Sequence, residues 1–189
     1  MSFTFEHSES ENSPRLNIPA MGLHLTVRLS QDVSGGALTV LETVNAAGFG
    51  PPLHRHREAE VFRILEGKYL YEVEGRRFHA AAGDIVSVPG GMVHTFVNVG
   101  EHPARQLVLM LPAMDAMAFF KGLAEVMAAG RAASRPDQAA LDAFGARWGV
   151  EFLGPPIKAT SWFRRPTPNR DESAYTGGGF SSTNCRWCQ

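Results

Sequence analysis

Gly48-Phe49-Gly50-Pro51-Pro52-Leu53-His54-Arg55-His56-Arg57-Glu58-Ala59-Glu60-Val61-Phe62-Arg63-Ile64-Leu65-Glu66-Gly67 sets two histidines and a glutamate on one parity between glycine-proline punctuation and an apolar run. In an extended chain, side chains two residues apart point to the same face. His54, His56 and Glu60 are therefore expected to project inward together from one strand and its approach. A second stretch, Gly83-Asp84-Ile85-Val86-Ser87-Val88-Pro89-Gly90-Gly91-Met92-Val93-His94-Thr95-Phe96-Val97-Asn98, delivers a third histidine, His94, from a turn at the start of a strand.

Outward from these two stretches the chain reads as short strands. Leu23, Leu25, Val27 and Leu29 alternate with other residues at the period of a half-buried strand. Further strand-like runs lie at residues 37–44, 60–65, 68–74, 84–88, 95–99 and 106–111, separated by glycine and proline turns. His79 falls on a short hairpin strand. Such spacing predicts an all-β sandwich or barrel. The period then changes: Met117, Phe120, Leu123, Ala124 and Met127 recur at three and four residues between Asp115 and a stop at Gly130, and Pro136 and Asp137 open a second helix bearing Leu141, Phe144 and Trp148 on one face. Both helices are expected to cover the outside of the barrel. The predicted organisation is a polar N-terminal arm over residues 1–20, the β-barrel over 21–112, a two-helix extension packed on the barrel over 113–157, and an irregular tail over 158–189.

The two quoted stretches together resemble the cupin superfamily. Its first motif is a glycine, five residues, His-x-His, three or four residues, Glu, six residues and Gly, matched by Gly48, His54, His56, Glu60 and Gly67. Its second is a glycine, five residues, Pro-x-Gly, two residues, His, three residues and Asn, matched by Gly83, Pro89, Gly91, His94 and Asn98. Ten specified positions, each met by chance at no more than about 7%, exclude coincidence. The resemblance implies a jelly-roll barrel, often paired into a homodimer, with His54, His56, Glu60 and His94 as metal ligands. Three imidazoles and a carboxylate suit one divalent transition metal: manganese, iron, cobalt, nickel or copper, with zinc admitted if the chemistry is non-oxidative. The alternative is a metal-free cupin in which these side chains form a hydrogen-bonded core cluster.

Phe62 and Ile64 share the parity of Glu60, and Phe96 that of His94, so these three are the candidate substrate-pocket walls, with ordinary barrel core as the alternative. His24, His79 and His102 lack acidic or histidine partners at ligand spacing and read as surface residues. Cys185 and Cys188 have C-x-x-C spacing but neither a helix start nor two further ligands, and read as an exposed tail pair. Arg164 and Arg165, beside Trp162 and Phe163, are weak evidence for an anion or partner contact.

Composition narrows the classes. The 189 residues, 44% hydrophobic, allow one sizeable core. Eighteen basic and 19 acidic residues, spread along the chain, argue against nucleic acid as a partner. The first twenty residues have no signal-peptide pattern, and the most apolar stretch, residues 107–127, is broken by Pro112, Asp115 and Lys121, so a cytoplasmic protein without a membrane span is expected. With an apolar and aromatic pocket, the expected partner is a small organic substrate, with dioxygen as co-substrate. A one-barrel chain with a helical C-terminal extension resembles the bacterial single-cupin quercetin 2,3-dioxygenases, and that resemblance implies an enzyme acting on an enol or phenol, with Glu60 as ligand and general base. A non-oxidative isomerase, cyclase or lyase, and a small-molecule sensor without catalysis, are the alternatives; the six-residue interval between the helices does not suit a helix-turn-helix segment.

Overall fold

The computed structural model describes residues 2–132 and 138–159. Two antiparallel sheets face each other. One carries six strands in the order β1 (Arg15–Ile18), β2 (Leu23–Leu29), β3 (Thr39–Asn45), β10 (Ala104–Leu111), β5 (Ala59–Glu66) and β8 (Ile85–Val88). The other carries five, in the order β11 (Val150–Gly154), β4 (Leu53–His56), β9 (His94–Asn98), β6 (Lys68–Val73) and β7 (Arg76–Ala81). Consecutive strands are repeatedly dealt to opposite sheets, which makes this an all-β jelly-roll barrel, with two helices on the C-terminal side.

The period-2 pattern explains which faces meet. On β3, Thr39, Leu41, Thr43 and Asn45 are buried and alternate with half-buried neighbours, and on β10 Ala104, Gln106, Val108 and Met110 do the same. Inside, Phe62, Tyr71 and Phe96 interlock with ring centroids 5.4 to 5.7 Å apart, which is the tilted and edge-on range aromatic quadrupoles favour. The two buried tyrosine hydroxyls find partners across the sandwich: Tyr69 donates to Asn45 Oδ1 at 3.1 Å and Tyr71 to Gln106 Oε1 at 2.7 Å. Each bond ties the five-stranded sheet to the six-stranded one without an orphaned hydroxyl.

A second cluster joins the helices to the barrel. Asp115 starts α1 (Ala116–Ala132), its side chain accepting from the Ala118 backbone N–H at 3.0 Å. Phe119 and Leu123 of α1 meet Leu141 and Phe144 of α2 (Gln138–Trp148) and Val150 of β11. Gly122 admits the Phe144 ring: a Cβ there would lie 2.7 Å from its Cε2 atom. Among the described residues, no helix is long and apolar enough to cross a membrane.

Several elements differ from the reading of the sequence. Residues 15–18, assigned to the polar arm, form β1 and pair with β2 from Arg15↔Thr26 to Ile18↔Leu23. With only Leu16 and Ile18 apolar, the run is too short to announce itself and is held by its neighbour. The helical extension also contains β11, which pairs with β4 in the register Val150↔His56 and Phe152↔His54. Helix α1 continues through Gly130 to Ala132. The helix opening at Pro136 and Asp137 and the tail with Arg164, Arg165, Cys185 and Cys188 lie outside the described residues.

Phe144 is 1% exposed and sits 5.3 Å from the Phe119 ring. Phe144→Ala is expected to cost about 3–5 kcal/mol, read from urea denaturation. A loss below about 1 kcal/mol would mean that the helix pair is only loosely docked.

Candidate metal centre

The two stretches that share histidines meet because their strands lie side by side. β4 and β9 pair antiparallel with His54 directly opposite His94. Glu60, expected to project with His54 and His56 from one strand and its approach, is on β5 in the other sheet. The chain crosses between the sheets at Arg57 and Glu58, so the carboxylate faces the imidazoles from across the barrel. The crossing is held by the turn after β8. The Gly91 N–H donates to the His56 carbonyl at 2.6 Å, and Gly90 packs so closely that a Cβ on it would lie 2.0 Å from the Arg57 carbonyl oxygen. Gly91 itself has φ of 84°, a left-handed conformation that glycine adopts freely. The Pro89-Gly90-Gly91 turn thus serves as the clamp that sets His56 against Glu60.

Histidine ligand atoms from His54, His56 and His94 lie within 4.8 Å of one another. Glu60 Oε2 is 2.8 Å from His94 Nε2 and 3.6 Å from His56 Nε2. The opposite ring edges are taken: His54 Nδ1–H donates to the Pro52 carbonyl at 2.8 Å, and His94 Nδ1–H to the Met92 carbonyl at 2.9 Å. These bonds choose the tautomer and leave each Nε2 with its lone pair toward the centre. A neutral His94 has then no proton left for its Nε2 contact with Glu60, so a proton or a cation is needed between the two. The donor set and its orientation fit a divalent ion bound by His54, His56 and His94, with Glu60 alongside.

Electrostatics favours the ligating forms of two of these groups. His54 is half-buried at the cavity, and desolvation there, followed by repulsion from His94, lowers its pKa to about 3; His56 adds to the effect and Glu60 opposes it. Burial pushes Glu60 upward, but its hydrogen bonds and charge interactions with His56 and His94 outweigh that and hold it well below the usual carboxylate range. His56 is likewise disfavoured as a cation by burial, yet Glu60 and Glu58 together raise its pKa. At neutral pH His54 is neutral and Glu60 anionic, the states a metal requires.

The site opens into a cavity whose lining is largely apolar. Phe62 and Phe96 are in its wall. Ile64 is not: it is 1% exposed, about 13 Å along β5 from Glu60 at strand rise, and belongs to the core beyond Phe62. Phe119, Phe120 and Leu123 of α1, with Phe152 of β11, complete the wall. Helix α1 therefore closes the cavity, where the sequence reading has it covering the outside of the barrel. An amphipathic stripe tells that a face is buried but not against what. Glu58 also borders the cavity and is 5% exposed. The sequence reading passes over it, although it shares the parity of His54, His56 and Glu60.

Residues 40–110 match the family model described as cupin domain. The barrel has a cupin-like fold. An uncharacterized protein of Methanocaldococcus jannaschii is 28% identical over 75 residues, which span 39% of this chain and 60% of that protein. An RmlC-like cupin from Shewanella frigidimarina superposes with a TM-score of 0.53 at 21% identity, over 62% of this chain and 99% of the other. The nucleoside dehydratase Pac13 of Streptomyces superposes with a TM-score of 0.54 at 14% identity, over 83% of this chain and 98% of its own. At such identities the likeness is one of fold, and cupin chemistry has to be argued from the site.

The pKa shifts set an acid limit on the metal-free protein. His54 has an ordinary value of 6.5 and a folded value of about 3, so the unfolded chain binds the extra proton and stability falls as pH drops through that window. Glu60, depressed from 4.5, adds its own loss below that pH. His56, raised above 6.5, keeps its contribution throughout and loses it only as pH rises. Urea denaturation between pH 6.5 and 3 is expected to show falling stability. His54→Gln should flatten the slope by up to about 1.4 kcal/mol per pH unit; an unchanged slope would show that His54 stays protonated in the fold.

Proposed function

We propose that this cupin is a mononuclear metal-dependent dioxygenase acting on a small, flat enol or phenol, of which flavonols are the first to test. The observation that carries the reading is the convergence of His54, His56 and His94 with the Glu60 carboxylate, beside an apolar, aromatic cavity that His54, His56 and Glu60 line. His54, His56 and His94 would hold the ion. A redox-active divalent metal there supplies a Lewis acid that makes a substrate hydroxyl acidic near neutral pH and a route for electrons to dioxygen.

The protein's own side chains do the rest. Glu60 is anionic and close to the centre, so its Oε2 can accept the substrate proton, as a general base must. Phe62 and Phe96 offer ring faces to a conjugated body from the barrel side, while Phe119 and Phe120 offer theirs from α1. These apolar walls offer water few partners, so the negative charge formed on the substrate would be neutralised mainly by the site. A lining with so few polar groups favours an aromatic substrate over a sugar. Both oxygen atoms enter the products, so no separate reductant is required.

The test loads the purified protein in turn with manganese, iron, cobalt, nickel and copper and screens flavonols and related enols for oxygen uptake and spectral change. At least one metal is expected to support oxygen consumption coupled to substrate loss. Glu60→Gln is expected to retain metal while turnover falls by about 100-fold or more. Full activity of that variant would refute the base assignment. Turnover without oxygen uptake and with zinc tolerated would reassign the site to a non-oxidative isomerase, cyclase or lyase, and ligand binding without turnover to sensing.

A further inference from the structure

The three histidines of the centre are not oriented in the same way. His54 and His94 each donate Nδ1–H to a backbone carbonyl two residues earlier, of Pro52 and Met92. Those acceptors are part of the chain, and no side-chain substitution removes them. His56 has no such carbonyl. Its Nδ1 is buried and lacks a well-aligned hydrogen-bond partner among the described residues; the charged group beside it is Glu58, whose Oε2 lies 3.3 Å away.

Glu58 is placed for this task by the same crossing that builds the centre. Its carboxylate is 5% exposed, and its other oxygen, Oε1, accepts from Arg57 Nε at 2.9 Å. Arg57 is itself 76% exposed, so one end of the pair reaches solvent while the other faces the His56 ring. An anionic side chain this deep is costly unless its oxygens are engaged. Arg57 satisfies one oxygen, and a His56 Nδ1–H would satisfy the second while removing the orphaned ring nitrogen. One proton placed on Nδ1 meets both needs, and it leaves Nε2 free toward Glu60 and the centre.

We propose that Glu58 is the positioning residue of His56, accepting its Nδ1–H and so holding the ring with Nε2 toward the ion. The proposal rests on the metal-centre reading, and it makes Glu58 the one side chain on which a histidine ligand's tautomer depends. A carboxylate behind an imidazole also raises the basicity of the ligating nitrogen. Removing it is expected to weaken metal binding by about 10–100-fold, without touching the ligands themselves.

The test measures affinity for cobalt by competition with a chromophoric chelator, together with the visible ligand-field spectrum of the cobalt protein, so that neither readout depends on activity. Three variants are compared with the unaltered chain. Glu58→Gln keeps an acceptor oxygen for Nδ1–H and is expected to stay within about threefold in affinity, with an unchanged spectrum. Glu58→Ala, and Glu58→Met, which fills the space without an acceptor, are expected to lose about 10–100-fold and to show altered bands; Met decides the matter if the Ala variant does not fold. Equal loss in Gln and Met would overturn the proposal, because the charge or direct ligation would then be what matters. Unaltered binding in Met would overturn it as well. If the unaltered chain binds no cobalt, zinc or iron, the metal-centre reading falls and takes this proposal with it, whereas binding that ignores position 58 removes this proposal alone.

Discussion

The site depends on one crossing of the chain between sheets. At Arg57 and Glu58 the backbone leaves the five-stranded sheet and enters the six-stranded one, and the Gly90-Gly91 turn grips it there through a hydrogen bond to the His56 carbonyl and a close backbone approach. The grip has two effects. It faces the imidazoles of β4 toward the carboxylate of β5, and it brings the glycine-proline turn of the second motif into contact with the first. His94 then arrives beside His54 because β9 is the hydrogen-bonded neighbour of β4. Without a glycine at position 90, the turn could not come close enough to do this.

A cluster of imidazoles and an acid is expensive to desolvate, and the protein offsets that cost with directional contacts more than with solvent. Two ring nitrogens are tied to backbone carbonyls, and Glu60 sits against two of the rings. The polar groups are thereby oriented before any ligand arrives. The same low-dielectric surroundings that depress the His54 pKa strengthen every remaining interaction at the centre. Preorganisation of this kind is what a metal centre would need.

The C-terminal segment does two jobs at once. β11 pairs with β4 and covers the edge of the strand that carries His54 and His56, which both protects that edge and fixes its ligands. Helix α1, held by α2 through Phe144, brings Phe119, Phe120 and Leu123 to the cavity wall. Stability and substrate environment are therefore coupled here: the packing that anchors the helices also shapes the space above the centre. Any chemistry has to be read from this combination, because the barrel by itself serves many reactions.

The sequence by itself determined the fold class, the inward faces and the identity of the three histidines and Glu60, because a strand's side-chain period is a local property and two spaced motifs carry ten defined positions. Phe62 and Phe96 were legible for the same reason. Only the tertiary structure decided that Glu60 stands on the opposite sheet from His54 and His56, that Ile64 belongs to the core, and that Glu58 rests against His56. Parity says which face a residue takes, but not how far along the barrel it lies or which sheet carries it. The placement of α1 over the cavity, of β1 beside β2 and of β11 beside β4 was hidden for a related reason. Short strands and amphipathic stripes record that a surface is buried, while the partner that buries it is chosen by contacts distant in sequence.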